Sequence, residues 1–248
     1  IAIGVFAFSA FQLGKIFLEY KAGTDEYNRV REYVTVTEPE PEQEQEETQT
    51  EPEAEEAKPV PPQVDFDSLK AINPDVIGWI QIEGTSISYP IMKGTDNEYY
   101  LKHTFEGNYN AAGSIFIDYT NNSNFEDCNT IIYGHNMKNG SMFKDVIYYK
   151  DEKYFKEHQY FSIYTPDREI KLKAVACYYG EAEPIVRKTR FKSQESFDAF
   201  VHEMVKPCSF AEDVTYPART LYTLVTCSYE INDARTFLFA VEVDEDGN

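Results

Sequence analysis

Three residues carry side chains suited to nucleophilic and proton-transfer chemistry, and each falls at the end of an apolar run. Cys227 closes the run RTLYTLVTC and precedes a polar loop. A thiol at the end of a rigid strand can be presented to a cleft as a nucleophile, although a lone cysteine more often serves as a small apolar filler. His135 follows NTIIYG in the same manner, ahead of the turn residues Asn136 and Asn139-Gly140. If the two strand ends lie side by side, its imidazole can protonate a leaving amine and deprotonate an incoming one; otherwise it is a solvated loop residue. Arg235 stands eight residues beyond Cys227, at the start of the next strand. Antiparallel pairing would bring its permanently charged guanidinium to the thiol, where it stabilises a thiolate or an oxyanion. The plainer alternative for Arg235 is a surface ion pair with Glu230 or Asp233.

The elements that must position these residues are mostly strands. GWIQIEG and SISYPIM are separated by Gly84-Thr85 and predict a hairpin. SIFIDY and NTIIYG follow, with the polar cluster NNSNFEDC between them, and then QYFSIYT, REIKLKAVACYY, RTLYTLVTC and RTFLFAVEV. Helices are few. Asp65–Ile72 predicts a short helix capped by Asp65 or Asp67 and stopped at Asn73-Pro74, and 142–158 carries apolar residues nearer to helical spacing. SQESFDAFVHEMV starts with Ser193 as cap and sets Phe197, Phe200, Val201, Met204 and Val205 on one face, with His202 and Glu203 pointing away. Many short strands without a repeated strand–helix–strand rhythm predict a mixed, mainly β barrel rather than a doubly wound sheet.

Composition sets the outer limits. The chain has 248 residues and a net charge of −20, which argues against a nucleic-acid partner, since phosphate binding needs a basic face. Residues 1–18 are apolar apart from Ser9, Gln12 and Lys15, and Glu19-Tyr20-Lys21 follow in place of a small-residue cleavage site. That pattern predicts a truncated membrane anchor; a signal remnant or a buried core helix are the alternatives. From Glu38 to Lys58 there are ten glutamates and one lysine among Pro, Gln and Thr, so that segment cannot bury enough apolar surface to fold. Residues 19–63 are therefore expected to be a stalk or linker, and 64–248, about 185 residues, a single folded domain. The four cysteines, Cys128, Cys177, Cys208 and Cys227, permit up to two disulfides without indicating any. They form no CxxC pair or zinc pattern, and no acidic loop has calcium-ligand spacing, so no metal or organic cofactor is expected.

The constellation resembles a known family. Thr223-Leu224-Val225-Thr226-Cys227 matches the TLxTC signature of sortases, followed eight residues later by their arginine, and Tyr133-Gly134-His135-Asn136 matches the stretch around their histidine. The stretch INPDVIGWIQIEGTSISYPIMKGTDNEYYL, then GSIFIDY, and the amphipathic helix at 193–205 ahead of the penultimate strand resemble class B sortases, over residues 64–243. The resemblance implies a closed antiparallel or mixed barrel of about eight strands with an N-terminal helix, and a cysteine transpeptidase with Cys227, His135 and Arg235 as catalytic residues. It implies cleavage after the threonine of a C-terminal sorting motif, NPxTN-like or PPxTG-like, through a Cys227 thioester, and transfer to a peptidoglycan-precursor amine. Asn97, Leu101, Tyr133, Val225, Thr226 and Ser228 correspond to the family's substrate-lining positions, although Leu101, Tyr133 and Val225 fit a core role equally well. Ser228 departs from members that place an acidic residue after the cysteine. The expected partners are surface proteins bearing a sorting signal and the membrane, with the domain outside a cell membrane crossed once. A pilin-polymerising sortase and a non-catalytic surface binding module are the competing readings. A papain-like protease or an L,D-transpeptidase is disfavoured, because His135 precedes the cysteine by ninety-two residues.

Overall fold

Period-two alternation of large apolar residues closes a sheet on itself in the computed structural model, which describes residues 2–35, 62–181, 184–208, 210–227 and 234–244. The elements are α1 (Ala2–Arg31), β1 (Val34–Thr35), β2 (Gln63–Val64), α2 (Phe66–Ile72), β3 (Val76–Gln81), β4 (Ser88–Met92), β5 (Ile115–Ile117) and β6 (Asn129–Tyr133). There follow α3 (Glu152–Glu157), β7 (Tyr160–Tyr164), β8 (Glu169–Glu181), α4 (Gln194–Val205), β9 (Leu221–Cys227) and β10 (Ala234–Glu242). Eight strands form a closed barrel in the order β10-β8-β7-β3-β4-β5-β6-β9. The β4–β5 and β6–β9 pairs are parallel and the others antiparallel, so the mainly β, mixed barrel expected from the sequence is the observed fold.

Local signals account for most element ends. The β3–β4 hairpin turns at Gly84, whose φ of +73° is the left-handed conformation open to glycine. Asp65 caps α2 by accepting from Ser68 N, and Ser193 caps α4 by accepting from Ser196 N, interactions typically worth about 1 kcal/mol each. The 142–158 stretch is helical in two pieces: a 3-10 turn over Lys144–Lys150, then α3, which Asp151 caps.

Two apolar cores hold the assembly. Trp79, Ile91, Phe116, Ile132, Leu172, Leu224 and Leu238 belong to the larger core. In the second, Phe197, Phe200 and Val201 of α4 pack on Val175, Leu221, Val225, Phe237 and Phe239 of β8, β9 and β10. Cys177 is buried in β8, and Cys128, Cys177 and Cys208 are all free thiols. Burial pushes the Cys177 thiol far up in pKa, so it is an inert filler.

Of the stalk expected over 19–63, residues 19–35 and 62–63 are among the described ones. α1 runs unbroken through the boundary expected at 18–19. Between Ile3 and Leu18 nine large apolar side chains are 48–86% exposed, which excludes a buried core helix. From Glu19 onward the same helix packs on the barrel with Gly23, Glu26, Tyr27 and Val30 buried, the spacing of one helical face. Buried Glu26 accepts from Thr104 Oγ1 (2.8 Å), Glu106 N (2.9 Å) and Asn108 Nδ2 (3.1 Å), and Tyr27 OH donates to Gly113 O (2.6 Å). β1 and β2 pair, with Thr35 opposite Gln63. The chain therefore leaves and re-enters the described fold at one place, and the acidic stretch 38–58 lies outside the described residues.

Candidate active site

Strand register pairs two of the three chemically suited residues and leads the chain to the third. β6 and β9 run parallel with Tyr133 opposite Val225, and Gly134 N continues the pairing by donating to Val225 O (3.1 Å). His135 comes two residues after the last pair of that register. β9 and β10 run antiparallel with Cys227 directly opposite Arg235. Arg235 and Cys227 thus face each other across neighbouring strands.

Gly134 makes the approach of His135 possible. A Cβ there would sit 2.5 Å from Ile115 Cδ1 and 2.6 Å from the Phe143 ring, so any larger residue must displace the backbone leading to the histidine. The imidazole is half-buried, and its Nε2 lies 2.8 Å from Leu101 O. A carbonyl can only accept, so this geometry assigns the hydrogen to Nε2 and leaves acid/base exchange to Nδ1. Arg235 is half-buried and donates through Nη1 to Ala234 O (3.0 Å).

A cavity of about 220 Å³ opens beside His135 and Arg235. Among the residues lining it are Asn97, Leu101, Tyr133, Val225, Thr226, His135 and Arg235, so seven of the nine candidate residues share one space. Thr226 is 2% exposed, and its hydroxyl has no hydrogen-bond partner among the described residues. Val225 lines the cavity and belongs to the second core as well, whereas Leu101 is 36% exposed. Of Cys227 the backbone position is described; Ser228, Glu230 and Asp233 lie outside the described residues.

Relatives of the chain share this arrangement of strands. No family model matches the chain. It is 33% identical to the sortase B of Listeria monocytogenes over 163 residues, 65% of this chain and 66% of that protein, so it spans about two thirds of the length of the curated relatives it matches. The crystal structure of Clostridium perfringens sortase B superposes with a TM-score of 0.68 at 34% identity, covering 73% of this chain and all of that one. Sortase B of Bacillus anthracis, solved in complex with AAEK1, gives a TM-score of 0.74 at 28% identity, over 93% of this chain and all of that one. The chain belongs to the class B sortases.

Within this class B sortase the cavity wall includes residues that the sequence did not single out. Phe116 and Arg187 line it. Asp118, 4% exposed, sits behind the wall and accepts from Asn97 Nδ2 (2.8 Å) and Tyr133 OH (2.9 Å) through Oδ2, and from Thr120 N (2.9 Å) and Thr120 Oγ1 (2.7 Å) through Oδ1. Burial opposes its ionisation, but the hydrogen bonds from Thr120, Asn97 and Tyr133 outweigh that and hold its pKa below the ordinary carboxylate value. The Tyr133 phenol is pushed up by burial first and by the Asp118 charge second, with the Arg187 guanidinium acting in the opposite sense. Among the described residues no cluster of His, Cys, Asp or Glu could hold a metal ion.

Proposed function

We propose that the chain is a membrane-anchored cysteine transpeptidase that cleaves a C-terminal sorting motif after its threonine. The observation that supports this reading is the pairing of Cys227 with Arg235 across β9 and β10, with His135 and Arg235 lining one cavity sized for part of an extended peptide. Cys227 Sγ, as thiolate, attacks the threonine carbonyl, and the negative charge moves to the carbonyl oxygen. Collapse of that adduct breaks the peptide bond, leaves a thioester on Cys227, and passes a proton from His135 Nδ1 to the departing amine. An amine of a cell-wall peptidoglycan precursor then attacks the thioester, gives its proton to His135 and releases the thiolate. Arg235, fixed in register opposite the cysteine, stabilises the thiolate and the oxyanion in both halves, where removing one such donor costs about 10²–10³-fold in rate.

Arg187 and the buried Thr226 hydroxyl are further polar groups on the wall available to the substrate backbone. The exposed apolar half of α1, Ile3 to Leu18, supplies the membrane anchor, and a helix running to Arg31 is long and apolar enough to cross. We assign the domain to the outer face of a cell membrane crossed once, with surface proteins bearing NPxTN-like or PPxTG-like signals as substrates and wall attachment rather than pilin polymerisation as the task.

Incubating the protein, under reducing conditions, with quenched peptides carrying these motifs tests the reading. Cleavage of at least one, transfer to an added amine, and loss of both in Cys227→Ala are expected. A Cys227→Ala protein that still cleaves would overturn the mechanism. Absence of any cleavage by the parent protein counts against the assignment.

A further inference from the structure

The Asp118 carboxylate is a buried group that the proposed reaction does not use. Its four hydrogen-bond donors come from three separated parts of the chain: Thr120 beside it, Asn97 ahead of the 3-10 turn Tyr99–Leu101, and Tyr133 at the end of β6. Two of the three line the cavity. Each oxygen takes two donors, an arrangement that only an ionised carboxylate satisfies in full, because a carboxamide at this place would turn its NH2 toward one of the two donor pairs.

This fixes the polarity of the groups facing a guest. Asp118 can only accept, so the Asn97 amide nitrogen must face it. The other end of the carboxamide, Oδ1, accepts from Tyr119 N (2.9 Å), which can only donate, so the two contacts agree and the amide cannot flip. One Nδ2 hydrogen and one Oδ1 lone pair remain, the complement of a peptide amide group. Tyr133 spends its single hydroxyl hydrogen on Asp118 and turns its oxygen to the Arg187 guanidinium.

We propose that Asp118 is the positioning residue that sets the hydrogen-bond polarity of this wall, holding Asn97 to present one donor and one acceptor to an amide group of the polypeptide substrate and holding the Tyr133 oxygen toward Arg187. The inference rests on the proposed function for the identity of the guest, but not for the positioning itself. Asp118 does not touch the reacting atoms; its loss loosens substrate binding and leaves the chemical step.

The test uses the protein with Asp118→Ala, which removes all four acceptors, and Asp118→Asn, which keeps the shape and half of them. With a cleaved sorting peptide, KM should rise about tenfold or more in Asp118→Ala and less in Asp118→Asn, with kcat within about threefold, the size expected for lost hydrogen bonds to a charged group. Asn97→Ala should raise KM as well, and adding Asp118→Asn to it should raise KM further by less than Asp118→Asn does alone, because part of its effect passes through Asn97. A readout free of turnover is the pair of Asn97 side-chain amide NMR signals, identified by their loss in Asn97→Asp. They should move in both Asp118 variants, while those of the buried Asn110, which is bonded to Glu19 O on α1, stay. Unmoved Asn97 signals overturn the proposal, and so does a fall in kcat at constant KM. If Asp118→Ala fails to fold, the Asp118→Asn protein decides by the same two criteria. A parent protein that cleaves no peptide, with Asn97 signals that do shift, sinks the proposed function and leaves the positioning role standing.

Discussion

Two buried carboxylates in this molecule, each 4% exposed, do different work because of what stands on the far side of their partners. Glu26 on α1 gathers Thr104, Glu106 and Asn108, all of one loop, and ties the helix to the barrel. Asp118 gathers Asn97, Thr120 and Tyr133, and two of these face an open cavity. The chemistry of the two clusters is the same, namely an acceptor-only group satisfied by several donors. Behind one lies packed protein; behind the other lies room for a guest. A buried polar network is thus a structural clamp or part of a site according to its surroundings, and burial alone does not separate the two.

The sharpest contrast comes from the residues beside the cavity. Arg235→Ala should cut kcat by about 10²–10³-fold with little change in melting temperature, measured by peptide turnover and thermal unfolding. Glu26→Ala should do the reverse: it strands buried donors and should lower stability by about 1–3 kcal/mol in a denaturant titration, with kcat/KM within about twofold of the parent protein at 25 °C. If Glu26→Ala instead lowered kcat with stability intact, the division between clamp and site would fail.

Acid separates the regions more gently. Asp118 has its pKa lowered in the fold, so the stability it contributes is fully present above the unfolded value of about 3.9 and is lost as pH falls through the lower folded value. Unfolding free energy followed from pH 5 downward should therefore fall less steeply in Asp118→Asn than in the parent, while near neutrality the carboxylate is ionised and contributes no pH dependence. The smallest effect is reserved for Cys177→Ala. That thiol is buried away from the cavity lining, so activity should stay within about twofold and stability should fall by about 1 kcal/mol, read by turnover and chemical denaturation.

Much of the barrel could be read from the chain because its strands are short alternating or apolar runs and its turns carry Gly, Asn and Asp. The run from Leu221 to Cys227 and the eight-residue step to Arg235 predicted an antiparallel pair, and the register joins those two residues. Asp118 was hidden for a physical reason. At the end of SIFIDY an aspartate reads as a solvated strand terminus, and its partners at 97, 120 and 133 converge only once β5 and β6 are paired. Arg187 sits in the basic run Arg187-Lys188-Thr189-Arg190, where nothing marks one cation as facing a cavity. The docking of α1 was hidden for another reason: its apolar half dominates the pattern, while the half that packs on the barrel does so through Glu26, Gly23 and Tyr27, residues that carry little hydrophobic signal.

The unbroken course of α1 makes the helix a protractor as well as a tether. Each residue of an α-helix advances about 1.5 Å and turns about 100°. In the proposed anchored arrangement, a single alanine inserted near Leu18, between the exposed and docked halves, would swing the mouth of the cavity by roughly a quarter of a circle about the helix axis while lifting it by little more than an ångström. Three or four alanines would bring it back near its original bearing. The side from which a tethered polypeptide meets the thiol would then be written in the phase of one helix.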